Sequence, residues 1–474
     1  MPTQNLSVET LIDGRRLKGR ATFSVLDRYT QSPVAEVAMS TPEQVAQAVM
    51  VARKCLSVVL PPYERAQILF RTVKIIEERR SAFVETIIAE AGFTLMDAQS
   101  EVTRALDTLT LSAEEAKRVL GQTVPLDGNP GQQNRFGFTI RVPVGVVCAI
   151  TPFNSPLNAV LHKVGPALAA GNAVILKPSG YTPMTSSMLC DALLEAGLPP
   201  GLISLMNGDA EVGQCLLNDQ GIDFYAFTGS TRVGRLIQAG AGLRRTQLEL
   251  GSIACTIVCA DADLSVAIPK IARASFRKAG QVCTSIQRLY VEASILEEVT
   301  SRLAKAAAEM PCGDPRQPDT LVGPMISVSE AQRAFDWIRE ATGQHACVEY
   351  GGLRDGAVLQ PTVLSNLRPG MSVIDREIFA PVVSVLPVNN LDEAIRGVNS
   401  MQFGLAAGIF TQDLSRAFTA ARAIRVGALH VNETSSSRVD SMPYGGVKDS
   451  GFGREGPAYA VREMTDERVV TISL

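Results

Sequence analysis

The stretch Val144-Gly-Val-Val-Cys-Ala-Ile-Thr-Pro-Phe-Asn154 decides the fold. It is an apolar run of strand length that breaks at a threonine-proline pair. Leu157–Ala170 then reads as a helix, Ala173–Lys177 as a second short apolar strand and Thr182–Ala196 as a second helix. The unit repeats as Leu202–Met206 and Ala210–Leu217, and again as Phe224–Phe227 and Thr231–Ala239. Buried strands alternating with helices of this size predict a parallel sheet covered on both faces. Such sheets bind ligands beyond the carboxyl ends of their strands, so residues just after each strand are the first candidates for chemistry.

Upstream, residues 41 to about 120 are helical. Thr41-Pro42-Glu43 gives a capping residue, a proline in the first turn and an acid near the positive end of the helix. Ile68, Val73 and Ile76 recur at helical spacing. Gly121–Phe138 is polar and glycine-rich and Phe138–Pro143 alternates, which predicts a protruding hairpin. Downstream of Gly251 a second α/β region begins, with strands near Thr256–Cys259 and Leu289–Val291. Arg468–Leu474 reads as a terminal strand, whose partner is either this chain or a second subunit.

The 474 residues are 46% hydrophobic and 20% charged, an ordinary globular balance with room for two or three domains. A net charge of -3 offers no steering field for nucleic acid or an anionic membrane, so both are disfavoured as partners. The opening Met1–Arg16 has no apolar core behind a basic start and no run reaches membrane-spanning length. The expected compartment is the cytoplasm. Nine cysteines without framework spacing read as reduced thiols. Cys255 and Cys259 lack nearby histidines, so no metal site is expected. Only three histidines, His162, His345 and His430, argue against serine-histidine or multi-histidine chemistry.

Several turns carry candidate chemistry. Gly280-Gln-Val-Cys283-Thr-Ser285 sets a thiol in a polar link between a helix and a strand. Glu249-Leu-Gly-Ser252 puts a carboxylate at a strand end. Asn154, after the first strand, is an amide able to donate to an oxyanion. Leu176-Lys-Pro-Ser179 aims a lysine at the crevice, where it would meet ribose or phosphate. Phe227-Thr-Gly-Ser230-Thr-Arg-Val-Gly234 offers backbone N–H groups and a hydroxyl at a helix start for a pyrophosphate, without the second close glycine of the usual dinucleotide fingerprint. Taken singly, each also fits a plain structural role: a buried thiol, a solvated acid, an ordinary turn.

In order along the chain, these segments, with Glu377-Ile-Phe379-Ala-Pro and Pro443-Tyr-Gly-Gly-Val-Lys-Asp-Ser-Gly-Phe-Gly-Arg-Glu455, resemble the aldehyde dehydrogenase superfamily. The resemblance implies an α/β fold with a Rossmann-type cofactor domain (residues 1–120 and 141–250) and a catalytic domain (251–430). It also implies an oligomerisation hairpin with a C-terminal strand (121–140 and 460–474), which builds homodimers or homotetramers. It implies oxidation of a small-molecule aldehyde to the acid with NAD or NADP. By the same resemblance Cys283 is the nucleophile, Glu249 the general base, Asn154 with the Cys283 N–H the oxyanion hole, and Lys163 an aid to proton transfer. Lys177 and Glu377 match the ribose contacts, Ser230 the pyrophosphate contact and Phe379 the nicotinamide side. Ile150, Thr151, Pro152, Phe153, Ser179, Gly180, Gly213, Thr228, Gly229 and Leu250 complete the expected cofactor cradle.

Two departures matter. The lysine common after Glu-Leu-Gly-Gly is absent at Ile253. An acid that repels a 2′-phosphate in relatives is Gly180 here, which permits NADP beside NAD. Arg104, His162 and Arg438, with Ser285, stand where relatives line the aldehyde tunnel, and favour a short anionic aldehyde. Each of the three also fits simple pairing, for Arg104 with Glu101 on its own helix. Arg288 is expected to be structural. Two competing readings are a coenzyme A-acylating semialdehyde dehydrogenase, which Glu249 opposes, and a catalytically silent protein of this fold, which the joint presence of Cys283, Glu249 and Asn154 opposes.

Overall fold

The computed structural model describes residues 6–58 and 60–473. The first residues of the leader reading and Leu474 lie outside them. The expected alternation is present, with elements starting or ending a residue or two from their predicted bounds. Val146–Ile150, Ala173–Lys177, Ile203–Leu205, Phe224–Thr228 and Arg245–Glu249 form a parallel block. The chain winds outward from Val146–Ile150 to Ile203–Leu205, then returns to place Phe224–Thr228 on the other side of that first strand. This reversal opens a crevice where Ile150 sits beside Lys177 and Thr228 beside Glu249. Thr10–Ile12 with Arg15–Leu17 and Gly451–Phe452 extend the sheet to eight strands. Gly451–Phe452 comes from the stretch between 430 and 460, which the sequence reading left outside every domain.

The second sheet has seven strands and centres on Ala254–Val258 and Ile286–Glu292. Each sheet has its own hydrophobic core. A third, small sheet pairs the terminal strand within its own chain and leaves it at the sheet edge. Thr465–Ser473 pairs antiparallel with Arg135–Pro143 of its own chain along its whole length. No helix among the described residues is long and apolar enough to cross a membrane.

Two helices bring charge into the interior. Asn158–Ala170 is buried on every side and ends at Gly171 with φ +93°. Any polar group on it, including His162 and Lys163, must therefore find a protein partner. Leu95–Glu115 packs against it and carries Asp97, Glu101, Arg104 and Thr108 at four-three-four spacing, on one face. Thr41 caps the Pro42–Cys55 helix in a reciprocal arrangement with Gln44.

Candidate active site

Cys283 hangs on a strained turn. After the Leu264–Phe276 helix, Lys278, Ala279 and Gly280 all take positive φ, at 52°, 52° and 67°. Two non-glycine residues in this region store strain of order 1–3 kcal/mol each, which the surroundings must hold. The Lys278 N–H donates to Asp97, its ammonium to Glu101 (2.9 Å) and to the Asn154 carbonyl (3.1 Å). A Cβ at Gly280 would lie 2.0 Å from the Ala380 carbonyl oxygen, so only glycine fits. The turn is thus pinned to the Leu95–Glu115 helix and to the far sheet.

Two cavities meet at the thiol. The wider, about 580 Å³, lies along the strand ends of the crevice. The narrower, about 60 Å³, runs inward between Arg104, His162, Arg277 and Arg438. Pro152, Asn154, Thr228, Glu249 and Cys283 line both, so they form the shared wall. Asn154 Nδ2 donates one hydrogen to the Gln281 carbonyl (2.9 Å), which orients the amide and leaves the other hydrogen free.

Burial and the Glu249 carboxylate push the Cys283 thiol well above its ordinary pKa. Burial, aided by Glu455, pushes Glu249 up to about 8. Glu249 Oε1 is buried without a hydrogen-bond partner. Beneath them lies a compensated ionic cluster. Lys163 donates to Glu455 and to Thr228, both at 2.6 Å, and Arg438 donates to Glu455 at 3.0 Å. Burial opposes the charge of Glu455, but Lys163 and Arg438 hold it far below the usual carboxylate range.

The three expected tunnel residues do line the narrow cavity, but each has a partner. Asp440 accepts from Arg104 through two bonds of 3.0 and 2.7 Å, from Asn158 (3.0 Å) and from His162 (2.9 Å). Burial, then Arg438, lowers the His162 pKa, which makes it a neutral donor to Asp440. Glu101 does not pair with Arg104. It takes Lys278, the Ser155 hydroxyl and the first N–H groups of the Asn158–Ala170 helix instead. Ser285 is a correction: its hydroxyl is spent on the Ala274 and Ser275 carbonyls at a helix end, and Thr284 faces the cavity in its place. Arg288 is structural, bonded to the Ile374 carbonyl and Asp375.

The wide cavity collects Ile150, Thr151, Pro152, Phe153, Lys177, Ser179, Thr228, Gly229, Ser230, Leu250, Glu377 and Phe379. Gly180 and Gly213 stand outside it; a side chain at Gly180 would touch Phe23, and one at Gly213 the Lys177 stem. Ser230 caps the Thr231–Ala241 helix, presenting its N–H groups at the cavity edge. Lys177 donates to the Gly208 carbonyl (2.9 Å). Burial raises Glu377 to about 7, and the Ser252 N–H (2.9 Å) holds it in place. The rings of Phe153 and Phe379 pack edge to face with their centroids 5.9 Å apart. Helix start, lysine, carboxyl and aromatic edge are the donor set that a dinucleotide's pyrophosphate, ribose hydroxyls and nicotinamide need, so the cavity fits NAD or NADP.

Sequence reasoning missed Arg277, Tyr444, Asp440 and Glu455 as participants. Arg277 carried a usable sign, being a cation on the same turn as the thiol, and Tyr444 and Glu455 lie inside the Pro443–Glu455 segment already singled out.

The aldehyde dehydrogenase family model matches residues 16–470. A 3-sulfolactaldehyde dehydrogenase of Priestia megaterium is 47% identical over 95% of each chain. Among solved structures, aldehyde dehydrogenase 21 of Physcomitrella patens, in complex with the reaction product succinate, superposes with a TM-score of 0.96 at 33% identity, covering 99% of both chains. An NADP-dependent glyceraldehyde-3-phosphate dehydrogenase of Bacillus halodurans, complexed with NADP, gives 0.97 at 31% identity, over 99% of this chain and 100% of that one. With a thiol, a carboxylate and an amide set between a dinucleotide-shaped cavity and a narrow inner one, this chain belongs to the aldehyde dehydrogenase family and is an NAD(P)-dependent aldehyde dehydrogenase.

Proposed function

We propose that the enzyme oxidises a short aldehyde bearing a sulfonate or carboxylate at its far end, by way of a thioester on Cys283. The observation that carries this reading is Arg277. It lines the narrow cavity and donates to the Ser436 hydroxyl at 2.8 Å, while no carboxylate of a described residue lies within ion-pair distance of it. Arg104, Lys163, Lys278 and Arg438 each have one. A half-buried guanidinium with a neutral partner favours an anion that brings its own charge and a planar face of oxygens. The small volume admits only a few atoms beyond the reacting carbon. The sulfonated and dicarboxylic compounds named for the relatives have this shape.

The thiol passes its proton to Glu249, and Sγ bonds to the carbonyl carbon as the C=O π pair moves onto oxygen. That oxyanion falls to Asn154 Nδ2 and the Cys283 N–H, two preset dipoles. Lys177, Ser230, Glu377 and Phe379 would hold NAD or NADP, which would accept the hydrogen of the former aldehyde carbon as hydride and so leave a thioester. After passing that first proton to solvent, Glu249 takes one from a water, whose oxygen attacks the thioester carbon; as the C–S bond breaks the proton goes to Sγ, releasing the acid and restoring the thiol. Lys163 and Glu455 keep the charge beside Glu249 fixed. Assembly into dimers or tetramers through the small sheet belongs to the same proposal, since Phe136, Ile140 and Ile472 lie exposed on one of its faces.

The test is kcat/KM for 3-sulfopropanal and succinic semialdehyde against propanal and benzaldehyde, in the wild type and in Arg277→Met. The anionic substrates should lead by about tenfold or more, and Arg277→Met should erase that lead while sparing propanal. Equal efficiencies in the wild type would refute the anionic subsite.

A further inference from the structure

Tyr444 is buried, and its hydroxyl lies 2.8 Å from Cys283 Sγ. The ring has little freedom to leave. The Arg438 guanidinium stacks 3.8 Å from its centroid, and Arg438 is itself tied to Glu455. The backbone of Tyr444 exchanges two hydrogen bonds with Glu455, at 3.1 and 2.7 Å. Burial, then the nearby thiol and Glu249, keep the phenol protonated by pushing its pKa well above the ordinary value. Tyr444 is therefore a fixed, protonated hydroxyl beside the nucleophile, free to donate or to accept.

A neutral thiol sulfur accepts only weakly, so the phenol's hydrogen bond is a poor one even in the resting enzyme. Once Sγ is bonded to the substrate carbon it is a thioether-like sulfur, no better an acceptor and without a hydrogen of its own to offer the phenol. The phenol is then a buried donor in need of a new acceptor, and leaving it orphaned is costly. The former carbonyl oxygen goes to Asn154 and the Cys283 N–H. The next position from which an oxygen can reach a donor beside Sγ is carbon 2 of the substrate. We infer that Tyr444 is a specificity-determining residue that recognises a hydroxyl on carbon 2, so the preferred substrates are 2-hydroxyaldehydes. This rests on the proposed attack by Cys283 and adds a second recognition point, on the reacting end, to the anion held by Arg277.

Two matched pairs test it. One is 2-hydroxy-3-sulfopropanal and 3-sulfopropanal; the other is 2-hydroxypropanal and propanal. Within each pair only the 2-hydroxyl differs. In the wild type kcat/KM should favour the 2-hydroxy member by about tenfold to a hundredfold in both pairs. Tyr444→Phe should bring both ratios to about one, chiefly by loss on the 2-hydroxy members. A wild-type ratio of one overturns the inference without recourse to any variant. So does a Tyr444→Phe enzyme that keeps the preference, or one in which both members of a pair fall equally while the pH dependence of Cys283 alkylation shifts; the phenol would then serve the thiol alone. Failure of the anionic reading appears elsewhere, as equality between the sulfonated and neutral pairs.

Discussion

Glu249 must lose a proton before it can take one from a thiol or a water, and its surroundings hold that proton to about pH 8. As a base it works above that value, so kcat should fall as pH drops below about 8, by tenfold per unit once well below. A profile flat from pH 6 to 9 would contradict the assignment. Cys283, Glu249 and Asn154 were legible in the sequence because each sits one or a few residues past a strand or turn whose period can be read locally. Their partners were not. Asp440 and Arg104 are 336 residues apart, and Glu455 and Lys163 are 292 apart. Nothing in the local pattern of Leu95–Glu115 says that its polar stripe is the buried one. The same gap explains Ser285, where a plausible hydroxyl near the thiol was already claimed by helix-end carbonyls.

Ion pairing joins the elements around the narrow cavity. Asp440 ties the Leu95–Glu115 helix, through Arg104, to the Asn158–Ala170 helix, through Asn158 and His162. Burial alone would raise its pKa, but bonds from His162 and Arg104 hold it far below the usual range. A depressed carboxylate stabilises the fold fully above its unfolded pKa of about 4 and loses that contribution as pH falls below it. Asp440→Asn should cost about 3–5 kcal/mol at neutral pH, because it leaves Arg104 without its counter-charge. It should also flatten the acid side of the Tm–pH curve. Wild-type Tm at neutral pH, or an unchanged acid limb, would contradict this. Element identities were readable from period and punctuation, as in the Thr41 cap. The pairing of Thr465–Ser473 was not, because a terminal strand carries no turn that names its partner.

The whole molecule brings a wide and a narrow cavity together at one thiol, and their union shows in no single stretch. The overall α/β plan followed from the strand–helix alternation, whereas the closure of the site by residues 438–455 needed the three-dimensional fold. Cofactor choice belongs to this scale too. A Cβ at Gly180 would make only ordinary contact with Phe23, at 3.9 Å, so the position tolerates an acid. Wild type should use NADP as well as NAD, and Gly180→Glu should raise KM for NADP about tenfold while sparing NAD, by repulsion of the 2′-phosphate. Equal effects on both cofactors would place the discrimination elsewhere. The central claim is a thioester on Cys283 that Glu249 is needed to release. Intact-protein mass spectrometry of Glu249→Gln, mixed with cofactor and succinic semialdehyde, tests it most directly. The account predicts one acyl group on Cys283, formed more slowly than in the wild type because the variant lacks the group that takes the thiol's proton, with a matching single burst of reduced cofactor, and neither in Cys283→Ala. Steady turnover without an adduct, or an acyl group mapped to another residue, would contradict it.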